Sequence, residues 1–240
     1  MGFKASMITV KQPTVGISHL ELLNELGFTN INLVGDTTFE ECMYPNDKSI
    51  NVGHYNDFLI ISDDYQLTTS LELSQTGSLL SDYEQALTDI YPENEILTVA
   101  CHSAVNYHLY SLVKNGRKLR FKKVVDGQPT IEFGDRIIEE ENVYAYSRII
   151  DGQRMFRSPY KDDKVYDNSE DQMMEDFAFG VAKRHLGVMI STSEDEELMF
   201  ETIFQKYAVK RSETREKVRS QPAVTGQRKK SWLSGLFRKS

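Results

Sequence analysis

The distribution of apolar and polar positions along the chain predicts a single α+β domain in which antiparallel strands dominate. Short apolar or alternating runs bounded by turn residues predict strands at 3–10, 31–34, 58–61, 96–100 and 107–113. Apolar residues at helical spacing predict about four helices, at 18–26, 79–91, 169–186 and 192–207. The expected fold is therefore a mainly antiparallel sheet packed with these helices.

Local sequence signals predict several turns and helix starts. Asn-Gly or Asp-Gly dipeptides, which are typical of hairpin turns because a type I′ turn needs positive φ at both central positions, occur at 115–116, 126–127 and 151–152. They predict an antiparallel meander. Ser18 with Glu21, and Ser169 with Gln172, have the spacing of capping boxes, in which two side chains satisfy each other's backbone donors. Each pair predicts a helix start.

Composition places the chain among globular proteins. Apolar residues make up 40% and charged residues 27% of its 240 residues, which excludes a wholly disordered chain, a collagen and a coiled coil. The mean hydropathy is −0.46, and no apolar run reaches the ~20 residues of a membrane-spanning helix. The start lacks the pattern of a secretory signal, and Cys42 and Cys101 are too few for a disulfide framework. These features predict a cytoplasmic protein.

Charge is distributed unevenly along the chain. Residues 206–240 hold eleven Lys or Arg and two Glu, a net charge of +9, while the other 205 residues have a net charge of −17. Together with the last apolar pattern, this predicts a globular domain at 1–207 and a basic, largely disordered tail at 208–240. An acidic body would repel nucleic acid and anionic lipid, so nucleic-acid binding by the body is not expected, and any contact with such surfaces must use the tail.

A short amphipathic segment at 231–239 lies within this tail. Trp232, Leu233, Leu236 and Phe237 would share one face of a helix, and basic residues flank that face. Such a segment can dock on an anionic membrane surface or in the hydrophobic groove of a partner protein. The sequence therefore predicts binding through Trp232, Leu236 and Phe237, to a partner protein or to the inner membrane as a peripheral protein.

The densest group of reactive side chains follows the strand predicted at 96–100. His102 is a candidate general base for Ser103 or for a bound water, and Asp57, Asp63 and Tyr107 are candidate binding residues beside this pair. Neighbours on a strand point to opposite faces, however, so His102 and Ser103 cannot form a dyad by themselves. The alternative is structural: both side chains satisfy backbone groups at the strand end.

No metal or cofactor is predicted. His, Cys, Asp and Glu occur in none of the usual metal-binding spacings, and no glycine-rich phosphate loop is present. The paired acids at 63–64 are typical of turn chemistry.

Several short motifs resemble a family of bacterial cytoplasmic proteins that has no assigned activity. They are the opening Met-Gly-Phe-Lys strand, the Met43-Tyr44-Pro45 stretch, the Cys-His-Ser-Ala-Val-Asn-Tyr run at 101–107, and the turns at Gly116 and 133–134. The similarity spans about residues 1–190. It implies a bacterial origin, a single α+β domain and a role for His102 and Ser103.

Two functions remain open from the sequence. The first is a non-enzymatic binding or interaction module, in which an acidic body carries a basic-aromatic docking segment. The alternative is a small hydrolase-like enzyme with a pocket around His102 and Ser103. An enzyme needs an acid, a base and a stabilising group around one concavity, so the two hypotheses differ in what must surround His102.

Overall fold

The computed structural model describes residues 4–13, 15–44, 47–72, 78–159, 165–190, 192 and 194–211. Within them the strands are β1 (Lys4–Lys11), β2 (Phe28–Thr38), β3 (Ile50–Tyr55), β4 (Phe58–Asp63), β5 (Glu95–His102), β6 (Tyr107–Lys114), β7 (Arg117–Val125), β8 (Ile131–Phe133), β9 (Ser147–Ile150), β10 (Gln153–Pro159), β11 (Val165–Asn168) and β12 (Ile203–Arg211). The α-helices are α1 (His19–Glu25), α2 (Phe39–Met43), α3 (Thr69–Glu72), α4 (Asp82–Ile90), α5 (Ile138–Tyr144) and α6 (Gly180–Leu186).

The strands form two antiparallel sheets. Nine of them make one sheet, in the order β2-β12-β3-β4-β1-β5-β6-β7-β8, and β11-β10-β9 make a second, smaller one. Four of the helices have seven residues or more. The predicted single α+β domain with a mainly antiparallel sheet is confirmed. None of the helices in the described part of the chain is both long and apolar enough to cross a bilayer.

The hairpins and caps form where the local signals predict them. Asn115 and Gly116 both have positive φ, of 49° and 68°, as the turn between β6 and β7 requires. Ser18 accepts a hydrogen bond from the backbone N–H of Glu21, whose carboxylate accepts one from the Ser18 backbone, so the first capping box starts α1. At the second box, a 3₁₀ turn and a π-helical turn precede α6.

The large sheet buries both of its faces. Met7, Val99, Tyr110 and Lys122 are cross-strand neighbours and so share one face, which packs against the helical segment 171–190. Ile8, Val10, Ile96 and Val113 lie on the opposite face, against α1 and α4. His102 also belongs to this second face, because it alternates with Cys101 on the first.

The predicted helix at 192–207 is wrong beyond residue 201. A π-helical turn at Glu197–Glu201 is followed by β12, which pairs with β2 on one side and β3 on the other. Residues 203–209 are rich in β-branched and aromatic side chains, and ladder hydrogen bonds on both sides outweigh the helical spacing of the apolar residues. Phe204 packs directly over Gly53 of β3.

Because β12 extends to Arg211, the charges of the body and of the tail must be counted with a new boundary. Lys206, Lys210 and Arg211 belong to the sheet, so residues 212–240 hold eight basic and two acidic residues, a net charge of +6. The remaining chain has a net charge of −14. The predicted tail beyond Arg211, including Trp232, Leu236 and Phe237, lies outside the described residues.

Candidate functional site

A groove of about 330 Å³ lies at the end of the second sheet face, beside the connection from β5 to β6. Its volume is within the range of small-molecule sites. We call it the His102 groove, and its lining residues are Tyr65, His102, Val105, Tyr107, Lys123, Val125 and Gln128. Two of the residues singled out from the sequence, His102 and Tyr107, are therefore brought together here.

The connection between β5 and β6 forms the rim of the groove. Ser103–Val105 make one 3₁₀ turn, and Asn106 then takes a left-handed conformation with φ of 41°, which Asn tolerates better than most residues. The Asn106 side chain donates a hydrogen bond of 3.1 Å to Asp171, and the Asn106 backbone carbonyl accepts one from the Asp126 backbone N–H. These contacts hold the strand ends that carry His102 and Tyr107.

The His102 ring is half-buried in the wall of the groove. It stacks on Tyr65, with ring centroids 6.1 Å apart and an interplanar angle of 26°, and the Tyr65 hydroxyl donates to the Cys101 carbonyl. The Nδ1 atom of His102 is buried and has no hydrogen-bond partner among the described residues. The structural alternative, in which His102 satisfies backbone groups, is therefore not supported by its contacts.

Tyr107, Lys123 and Gln128 add further polar groups to the groove. Tyr107 lies opposite His102 on β6 and opposite Val125 on β7, while Lys123 is two residues before Val125 on the same face. The groove thus combines aromatic and aliphatic walls with one ammonium group. Among the described residues that line it there is no carboxylate.

Ser103 does not line the groove. It begins the 3₁₀ turn, where its carbonyl accepts a hydrogen bond of 3.4 Å from the Asn106 backbone. The proximity of Ser103 to His102 in sequence therefore does not place both side chains in one concavity.

Neither of the candidate carboxylates, Asp57 and Asp63, lines the groove. Along β1, Lys4 pairs with His102 while Lys11 pairs with Phe58, so Asp57 is at least about 23 Å from His102 at about 3.3 Å per residue. Asp57 is exposed in the turn between β3 and β4.

Asp63 is fully buried. It accepts hydrogen bonds of 2.8 Å from the Ser6 hydroxyl and the Leu67 backbone, and burial raises its pKa to about 7. These contacts give Asp63 a role within the fold.

A buried ionic network on the first sheet face was missed by the sequence analysis. Arg120 donates to both oxygens of Glu140, over 2.7 and 2.6 Å, and Lys122 pairs with Glu170 and donates to Tyr144 over 2.7 Å. His108 lies beside it, and burial lowers the pKa of His108 to about 3. Each charge is paired inside the fold, so the network fastens α5 and the segment after β11 to β7.

The two cysteines are not activated nucleophiles. Both are unpaired and buried, and burial raises the pKa of each thiol to about 12. A thiol with such a pKa stays protonated at neutral pH and is a weak nucleophile. Within the described ranges, no three His, Cys, Asp or Glu side chains are grouped closely enough to hold a metal ion.

Comparison with protein-family models, with curated protein sequences and with solved structures finds no match to this chain. The resemblance to a bacterial family therefore stays a prediction. The groove and the charge of the chain are the features of the molecule that bear on its function.

Proposed function

We propose that the protein is a non-enzymatic binding module that takes a small anionic ligand with a planar apolar part in the His102 groove. The observation that carries this proposal is the composition of the groove: Tyr65, His102 and Tyr107 offer ring surfaces, and Lys123 offers one positive charge. Val105 and Val125 add apolar surface for the ligand's ring. Such a mixture of apolar walls with few polar groups is typical of sites that orient one small molecule.

The buried nitrogen of His102 adds a specific polar contact. Because Nδ1 has no partner among the described residues, a ligand hydroxyl or anionic oxygen that reaches it would satisfy a group whose isolation is costly. His102 and Lys123 would then hold the polar end of the ligand, and Tyr65 and Tyr107 its ring.

The hydrolase alternative has less support from the same groove. A general base is normally oriented by an acid and placed beside a nucleophile. Here Ser103 is outside the groove, and no carboxylate is among the described residues that line it. His102 and Tyr107 can recognise a ligand without these partners, which favours binding over catalysis.

The basic tail forms the second part of the proposal. Its net charge of +6 and its cluster of Trp232, Leu236 and Phe237 favour docking on an anionic membrane surface, with a partner protein as the alternative. The protein would then be cytoplasmic and bound peripherally at the inner membrane through this tail. The acidic charge of the body would keep the body itself away from that surface.

Titration of the full chain with phenyl phosphate, followed through the NMR signals of the His102 ring, tests the groove. We expect a saturable shift of these signals, and about tenfold weaker binding in Lys123→Gln because a charged hydrogen-bond partner is lost. Lys48→Gln, which removes an exposed positive charge outside the groove, is the matched control.

Two results would count against the proposal. Equal weakening by Lys123→Gln and Lys48→Gln, or no saturable shift at His102, would show that phenyl phosphate is not held in the groove. Release of phosphate that disappears in His102→Gln would favour the hydrolase.

A further inference from the structure

A second pocket, of about 280 Å³, lies at the other end of the sheet, where α2 and the starts of β3 and β12 meet. We call it the acidic pocket. Its lining includes Glu40, Glu41, Asp47, Asn51 and Lys206. Three carboxylates face one ammonium group here, so the pocket has a formal charge of −2.

One of the carboxylates is already neutralised. Asp47 lies 2.7 Å from the ammonium group of Lys206 and accepts a hydrogen bond of 2.9 Å from the Ser49 backbone. Together these contacts lower the pKa of Asp47 to about 2, the bond to Lys206 being the larger cause. Lys206 is therefore engaged by Asp47, and the remaining negative charge belongs to Glu40 and Glu41.

The carboxylates of Glu40 and Glu41 have oxygens that can still accept hydrogen bonds from a cation. One oxygen of Glu41 accepts a hydrogen bond from the Thr37 hydroxyl, which leaves its other oxygen to accept. In the part of the chain that the structure describes, no hydrogen bond or ion pair is made by the exposed Glu40 side chain. A carboxylate pair with such capacity attracts a donor that carries positive charge.

Asn51 gives independent evidence for a donor in the pocket. The residue is only 5% exposed, it lines the pocket, and its side-chain oxygen has no hydrogen-bond partner among the described residues. Buried polar atoms are nearly always satisfied, and an isolated one is costly. An N–H group that reaches Asn51 from the pocket would remove that cost.

We propose that the acidic pocket binds a guanidinium group, such as an arginine side chain. A guanidinium presents five N–H donors in a planar fork, which can serve a carboxylate bidentately while another donor reaches an amide oxygen. A metal ion fits less well, because no suitable group of three His, Cys, Asp or Glu is found among the described residues. The acidic body adds long-range attraction for such a cation.

Calorimetric titration of the full chain with n-butylguanidinium tests this proposal. We expect saturable binding, and about tenfold weaker binding in Glu40→Gln because one charged partner is removed. Glu93→Gln removes the same charge from an exposed turn and is expected to bind like the unaltered protein. The NMR signals of the Asn51 side-chain amide should shift during the titration.

The matched probe n-butylammonium tests the requirement for the planar fork, and should bind more weakly. Equal binding of the two probes would contradict the guanidinium assignment. Equal weakening by Glu40→Gln and Glu93→Gln, or an unchanged Asn51 signal, would mean that only the overall negative charge is sensed. Either result would overturn the proposed site.

Discussion

Asp63 is a fully buried carboxylate whose hydrogen-bond partners are neutral donors, whereas Glu140, which is equally buried, is paired with Arg120. A neutral donor stabilises a carboxylate less than a cation does, so burial dominates at Asp63 and raises its pKa to about 7. Because its partners carry no charge, Asp63 is a buried group that responds to pH near neutrality.

The raised pKa of Asp63 predicts a specific pH dependence of stability. An aspartate in the unfolded chain has a pKa near 4, so the folded protein binds this proton more tightly. The stabilisation is fully present below about pH 4 and is lost as the pH rises through about 7, by at most about 4 kcal/mol. Urea unfolding of the wild type and of Asp63→Asn between pH 4 and 8 measures it.

The difference in the free energy of unfolding between the wild type and Asp63→Asn isolates the contribution of Asp63. His108 contributes with the opposite sign, because burial lowers its pKa to about 3 and its contribution to stability therefore grows as the pH rises from 3 to 6.5. We expect the advantage of the wild type over Asp63→Asn to shrink with increasing pH. Asp126→Asn, in an exposed turn, is the control. A constant advantage of the wild type over Asp63→Asn would show that Asp63 titrates normally.

His102 supports a second prediction at this scale. Because its buried Nδ1 has no hydrogen-bond partner among the described residues and the residue is half-buried, His102→Gln should change the free energy of unfolding by less than about 1 kcal/mol. Binding of phenyl phosphate should nevertheless weaken. Thermal unfolding in the absence of the probe is the measurement, and a loss of several kcal/mol would restore the structural role that the sequence suggested.

Strands and turns with strong local signals are predictable from this sequence, while elements that depend on distant pairing are not. The turn at Asn115 is determined by its own dipeptide, and β4 by its continuous apolar run. The strand β12 has helical spacing of apolar residues and becomes a strand only because β2 and β3 offer two free ladders. Likewise His102 was found at a strand end, but Tyr65 and Lys123 reach the groove only through sheet register and a loop contact.

The contact between Gly53 and Phe204 predicts a cost for the smallest possible side chain. A Cβ atom at Gly53 would lie 2.6 Å from the Phe204 ring, so Gly53→Ala must displace a fully buried aromatic side chain. We expect a loss of about 1–3 kcal/mol in chemical denaturation. Gly180→Ala is the matched control, because Gly180 is helical and has open space around it, and it should stabilise by about 0.5–1 kcal/mol. Equal effects of Gly53→Ala and Gly180→Ala on stability would mean that the Phe204 side chain does not pack against Gly53.

A buried ion pair joins α4 to the β6–β7 hairpin. Lys118 lies 2.8 Å from Glu84, and both side chains are only 1% exposed. Glu84 also accepts a hydrogen bond of 2.5 Å from Ser111. Lys118→Met should therefore destabilise the protein by about 3–5 kcal/mol, because it leaves Glu84 buried without its cation.

The partner variants separate the ion pair from general packing. Combining Lys118→Met with Glu84→Gln should recover most of the loss, since no unpaired charge remains. Lys114→Met removes a half-exposed lysine from Glu95, which keeps its ion pair with Arg184, and should cost less than about 1 kcal/mol. Denaturant midpoints compare all three proteins, and a double variant as unstable as Lys118→Met would contradict the electrostatic explanation.

At the scale of the whole molecule, the basic charge and the apolar residues of the tail predict that its binding to an anionic membrane has an electrostatic part and a hydrophobic part. Salt reduces electrostatic attraction beyond about 8 Å at physiological ionic strength, whereas burial of Trp232 would contribute ~1.5–3 kcal/mol that salt does not remove. Anionic vesicles should therefore shift the emission of Trp232, the one tryptophan of the chain, to shorter wavelength. Zwitterionic vesicles are the lipid control.

Variants of the tail separate the hydrophobic and the electrostatic contributions to the emission shift of Trp232. Leu236→Ala with Phe237→Ala should remove most of the shift, while replacing the basic run at 228–230 with Gln should weaken it and make it less dependent on salt. An emission that is already at short wavelength in high salt without vesicles would place Trp232 on its own domain, and the docking proposal would then fail.

The position of β12 between β2 and β3 has a consequence for folding during synthesis on the ribosome. Residues 28–55 emerge early, but the strand that joins β2 to β3 ends at Arg211, and at about 5–20 residues per second it follows β3 by roughly 10–30 s. For that time the nascent chain presents two strand edges with unpaired backbone groups, which invite pairing with other chains. Chaperone capacity during translation should therefore influence the yield of this protein more strongly than its final stability does.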